Sequence, residues 1–144
     1  IPVTSAAFAP DGRSALSASW DSSLRFWDLA SGECLRVFQG HSGLVNSAAF
    51  APDGRSALSA ADDSTLRLWD IASGECVRVF QGYSSPVTSA AFAPDGRSAL
   101  SASWDNSLRL WDIASGECVR VFQGHSIPVT SAAFAPDGRS ALSA

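Results

Sequence analysis

The chain repeats itself every 42 residues. The stretch VTSAAFAPDGRSALSASW that starts at Val3 returns almost unchanged at Val45, at Val87 and, as far as the chain runs, at Val129. A period in this range denotes stacked supersecondary units, each too small to bury its own apolar faces. The 144 residues therefore divide into three full units, 1–42, 43–84 and 85–126, and a partial fourth, 127–144.

Within the unit that starts at Ser85, four short β-favouring runs are separated by turn signals, and no helical periodicity is long enough to compete. The predicted strands are Val87–Ala93, Ser98–Ser103, Leu108–Trp111 and Cys118–Phe122. Pro94-Asp95-Gly96 closes the first turn, with proline set to start it and glycine to take the positive φ. Trp104-Asp105-Asn106 and Ala114-Ser115-Gly116 close the others. Each unit reads as one antiparallel four-stranded meander. A strand such as Ser98-Ala99-Leu100-Ser101-Ala102 has small residues on both sides, which suits a sheet packed on both faces.

Composition excludes some partners. Fourteen acidic residues stand against ten basic ones, every one an arginine, for a net charge of −4. Neither sign forms a run. Nucleic acid and anionic membranes both favour a basic patch, so neither is an expected partner. Cys34, Cys76 and Cys118 are one cysteine copied by the repeat, and the spacing carries no disulfide or metal logic. Reduced structural thiols, no cofactor, no metal and a cytoplasmic chain are the expectation. No apolar stretch approaches the ~20 residues of a membrane span, and no signal-peptide pattern is present.

A Trp-Asp pair closes the third strand as Trp27-Asp28, Trp69-Asp70 and Trp111-Asp112, and a Gly-His pair follows the fourth as Gly40-His41 and Gly124-His125. In these motifs the whole chain resembles the WD-repeat (WD40) β-propeller family. The fold the resemblance implies is all-β, a propeller of four-stranded antiparallel blades.

The resemblance also implies a buried network of His, Ser or Thr, Asp and Trp in each blade. His41, Ser59, Asp63 and Trp69 match all four positions in the second. The first has Ser17, Asp21 and Trp27, and its histidine position falls before residue 1. The third has Ser101, Asp105 and Trp111, but Tyr83 stands where histidine belongs, so its network is expected to be altered or partly open. His125 and Ser143 represent it in the partial fourth.

A His, Ser and Asp in reach of one another invite a hydrolase reading, with Ser59 as nucleophile, His41 as base and Asp63 as orienter. Against it, the set recurs in other blades, no Gly-x-Ser-x-Gly elbow exists, and the tryptophan partner would bury it. The non-enzymatic reading is preferred.

The second and third units differ at only eight of 42 positions, and six of these fall at two places. One is the start of the first strand, the other the turn between the second and third strands. In an antiparallel meander these share one rim. By the resemblance, this rim is the top face on which partners bind, through Trp20, Asp62 and Trp104 with Pro2, Thr4, Leu44, Asn46, Pro86 and Thr88. Exposed tryptophans are typical of binding hot spots. The alternative is that Trp20 and Trp104 lie flat on neighbouring loops and bind nothing.

An open stack exposes two sheet faces of roughly 400 Å² each, about 10 kcal/mol of unrealised burial. The chain is therefore expected to close a ring with copies of itself, or else to be a segment of a longer array. Two chains supply six whole blades and two half blades, for seven or eight positions, and this dimer is favoured. Three chains with nine whole blades are the alternative. A protein or peptide ligand on the top face, or a purely structural product of blade amplification without any ligand, both remain open.

Overall fold

The computed structural model describes residues 1–144 and contains only strands, turns and loops. The first sheet comprises β1 (Val3–Phe8), β2 (Ser14–Ser19), β3 (Ser23–Asp28) and β4 (Cys34–Gln39). The second comprises β5 (Val45–Phe50), β6 (Ser56–Ala61), β7 (Leu66–Asp70) and β8 (Cys76–Phe80). The third comprises β9 (Val87–Phe92), β10 (Ser98–Ser103), β11 (Ser107–Asp112) and β12 (Cys118–Gln123). β13 (Ala132–Phe134) and β14 (Ala141–Ser143) form a terminal two-stranded sheet. Every sheet is an antiparallel meander in chain order.

The strands differ from the sequence expectation by at most one residue at each end. Ala93 leaves β9 because its N–H bonds Ser98 O inside the turn. Ser107 and Asp112 join β11 because they pair with Gln123 and Ser98. Gly96 takes φ 73° in the Pro-Asp-Gly turn, and the Asp95 carboxylate accepts the Arg97 N–H at 2.9 Å. The turn from β10 to β11 ends on Asn106 at φ 68°, with Ser22 and Ser64 at the same place in the other sheets. A left-handed last residue is what a three-residue hairpin loop requires.

The sheets stack face to face, the first strand of each innermost: β1 packs on β5, and β5 on β9. Between the first two sheets lie Leu16, Ala18, Leu24 and Phe38 on one side and Val45, Ala57, Trp69 and Ile71 on the other. Leu58, Ala60, Leu66 and Phe80 meet Val87, Ala99 and Trp111 at the next junction. Both faces of the second sheet are thus core, which is why β6 reads Ala-Leu-Ser-Ala-Ala with no polar side large enough to face water. The terminal hairpin covers Leu100, Ala102 and Leu108 with Val129 and Ala132.

Polar bonds also cross the junctions. Thr4 donates to Val45 O at 2.6 Å and Thr88 to Val129 O at 2.6 Å. The Arg36 guanidinium reaches the carbonyls of Ala72 and Ser73 at 2.7 and 3.1 Å, and Arg78 those of Ala114 and Ser115 at 2.9 and 3.0 Å.

Candidate functional site

His41 follows β4, Ser59 lies on β6, Asp63 in the β6–β7 turn and Trp69 on β7, and the fold brings the four side chains into one hydrogen-bonded chain beside the second sheet. His41 Nδ1 lies 2.8 Å from Asp63 Oδ2, and its Nε2 lies 2.6 Å from Ser59 Oγ. Trp69 Nε1 donates to Ser59 Oγ at 2.8 Å. Each donor finds one acceptor if the indole N–H points to Ser59, the Ser59 hydroxyl to His41 Nε2, and the Nδ1–H to the carboxylate.

Thr65, which sequence reasoning missed, closes the network. Its hydroxyl donates to Asp63 Oδ1 at 2.6 Å and its N–H to the same oxygen at 3.0 Å. Ser42 N–H adds a fourth donor to the carboxylate at 3.0 Å. Burial raises the Asp63 carboxyl, but the hydrogen bonds from His41 and Thr65, with the Ser42 N–H, outweigh it and hold it well below the usual carboxylate range.

The third sheet keeps the frame with a different key. Trp111 Nε1 donates to Ser101 Oγ at 2.7 Å, and the Tyr83 hydroxyl occupies the place of the imidazole against that same oxygen. Tyr83 does not bond Asp105. Instead Asp105 holds the Ser107 N–H at 3.0 Å and pairs with Arg109 at 3.5 Å, while Arg109 Cζ stands 4.4 Å over the Tyr83 ring. The network is altered, and closed at its Ser101 end. Burial pushes the Tyr83 hydroxyl well above the usual phenol range.

In the first sheet Trp27 Nε1 bonds Ser17 at 2.8 Å. Asp21 caps Ser23 N–H at 3.0 Å and pairs with Arg25 at 3.5 Å. The Ser23 hydroxyl holds the Asp21 carboxyl below its ordinary value. His125 reaches Ser143 Oγ at 2.7 Å, in the open.

The rim residues gather at the same end of the sheets. Trp20 N–H bonds Pro2 O, Asp62 N–H bonds Leu44 O, and Trp104 N–H bonds Pro86 O, at 2.9–3.1 Å. Trp20 and Trp104 are 45% and 55% exposed. Asn46 joins Asp62 at 2.7 Å and Val87 O at 3.1 Å. The side chains of Thr4, Asn46 and Thr88 are therefore committed to the next sheet, whereas both tryptophans and Pro2 stay exposed.

The WD domain, G-beta repeat (WD40) pattern matches residues 2–28, 32–70, 74–112 and 116–144. The chain belongs to the WD40-repeat family. The matched repeats 32–70 and 74–112 each run from the last strand of one sheet through the first three of the next, so this WD40 unit laces neighbouring sheets together by its own connectivity. Among curated proteins, the human F-box and WD repeat domain containing protein 10B is 57% identical over 30 residues, 21% of this chain and 4% of that protein. The F-box/WD repeat-containing protein 10 of human is 57% identical and that of mouse 50% identical, again over 30 residues, 21% of this chain and 3% of each protein. The likeness thus spans less than one WD40 repeat and a small part of those proteins.

Proposed function

We propose that the chain is a non-enzymatic WD40 scaffold that assembles with copies of itself through its open blade faces and binds a protein or peptide on its top rim. The observation that carries the reading is the exposure of Trp20 and Trp104 on one rim of a repeat whose other large aromatics are mostly packed. Exposed indoles beside committed polar groups form an anchor-and-rim pattern suited to a peptide with apolar side chains. Ser59 has no exposed surface and its hydroxyl sits between an imidazole and an indole, which supports a holding role over a nucleophilic one. The three free thiols, two of them exposed, suit a reducing compartment such as the cytoplasm.

Panning a displayed peptide library against the chain tests the binding surface. Selected peptides should bind the wild type and lose at least roughly tenfold in affinity on Trp20→Ser with Trp104→Ser, the size of one hot-spot contact. If no peptide is enriched, or if binding survives the double substitution, the rim is not the site. The near-identity of the second and third units, eight differences in 42 residues, favours the second reading, a structural product of blade amplification without a ligand.

A further inference from the structure

Both complete junctions in this chain are assembled from the same parts. One side supplies a phenylalanine and an arginine from the fourth strand and the Gly-His or Gly-Tyr pair that follows. The other supplies a tryptophan, an Ala-Ser carbonyl pair, a serine and an aspartate. Phe38 meets Trp69 at 5.6 Å between ring centroids, and Phe80 meets Trp111 at 5.5 Å. Arg36 and Arg78 clamp their carbonyl pairs as described. A Cβ on Gly40 would stand 2.7 Å from Arg67 and 3.1 Å from Trp69, so the glycine is the slot that admits them.

At the third junction only the serine of the second set, Ser143, is present. Phe122 is 41% exposed, against 1% for Phe38 and Phe80. A Cβ on Gly124 would meet nothing within 4 Å. Arg120 is exposed and holds no carbonyl pair, and His125 bonds Ser143 but no aspartate. Beside the unpaired outer edge of β14 lies a cavity of about 240 Å³ lined by Leu100, Leu108, Leu110, Phe122, Phe134 and Leu142. The missing parts stand at the opposite end of the chain: Asp21, Arg25, Trp27 and Leu29 on the outward face of the first sheet, with the Ala30 and Ser31 carbonyls. Leu29 is 44% exposed where Ile71 is 9%.

We propose that the cavity beside β14 receives β3 and β4 of a second copy of this 144-residue chain, with β3 pairing along β14 to complete a fourth blade. This specifies the self-assembly reading above and rests on it. The ladder between β2 and β3 sets the register, placing Ala141 opposite the second copy's Trp27, Leu142 opposite its Phe26 and Ser143 opposite its Arg25. Residues 127–144 are identical to residues 1–18. β3 therefore exchanges β2 for β14 with no mismatch in a single pair, and an open strand edge gains its partner.

The second copy's Trp27 fills the cavity against Phe122 and donates its indole N–H to Ser143. Its Asp21 takes the free nitrogen of His125, and its Ala30 and Ser31 carbonyls take Arg120. The second copy's own β1–β2 hairpin is displaced. Each copy then accounts for three blades, two of its own and one made from halves of both copies, so two copies make a six-bladed ring, within the range in which propellers close.

Light scattering on the full chain and four variants tests this. The wild type should run at a whole multiple of 15.0 kDa. Phe122→Ser, at a side chain that is exposed in the single copy, should raise the dissociation constant about a hundredfold without lowering the melting temperature of the dissociated chain. Arg120→Ala should weaken association in the same direction, and His125→Tyr should preserve it, because Tyr83 already serves that place against Ser101. Val119→Ser, on the same strand but at a position exposed in all three sheets, should leave it unchanged. A chain that stays at 15.0 kDa at every concentration overturns both this proposal and the self-assembly reading. A chain that associates as tightly with Phe122→Ser and Arg120→Ala as without them keeps self-assembly and overturns this interface.

Discussion

Ser59 Oγ accepts from the Trp69 indole and bonds His41, so alanine there strands two buried nitrogens at once. Ser59→Ala should cost about 2–3 kcal/mol in a denaturant melt. Ser17→Ala should cost less, because Trp27 is only partly buried and no histidine reaches Ser17. Asp63 ties this site to pH. Its carboxyl lies below the ordinary value in the folded chain, so the unfolded chain takes up the proton first as pH falls. The stability it contributes is complete above the unfolded value of about 4 and is lost as the pH drops toward and through the folded value. The melting-temperature gap between wild type and Asp63→Asn should be widest above that value and narrow below pH ~4. A gap that stays constant down to pH ~2 would show that the carboxylate is not what the network holds.

At the scale of strands and turns, the left-handed residues are the weak points. Ser64 at φ 65° and Ser22 at φ 68° carry a side chain where glycine sits without strain. Ser64→Gly should stabilise by about 0.5–1 kcal/mol, and Asn106→Gly by less, since asparagine tolerates the left-handed region. Chemical denaturation of both variants checks the order.

The strands, their turns and the rim on which the copies differ were legible in the sequence because alternation, Pro-Asp-Gly and the repeat itself are local signals. The clamps were not. Arg36, Thr4 and Asn46 bond backbone carbonyls 36 to 41 residues away, and a carbonyl has no letter in the sequence. A hint existed in Arg36, Arg78 and Arg120, one arginine kept on the fourth strand of every unit. That Tyr83 would alter its network was readable from the missing histidine. How it does so depends on the reach of a phenol that bonds Ser101 but leaves Asp105 to Arg109.

For the whole molecule, the two end sheets differ from the middle one in one respect, a face without a full neighbour. Val3 is 65% exposed where Val45 and Val87 are fully buried, and Phe122 is open where Phe38 and Phe80 are closed. The apolar surface left wet at the two ends is comparable to the stability of a small domain. Concentration should therefore control folding, with the melting temperature rising as the chain is concentrated. The most direct test is the mass of the wild-type chain by light scattering across a wide dilution series. The account predicts a particle at a whole multiple of 15.0 kDa that loses cooperative folding as it dissociates. A lone 15.0 kDa particle that stays soluble and melts cooperatively at the highest dilution would contradict it.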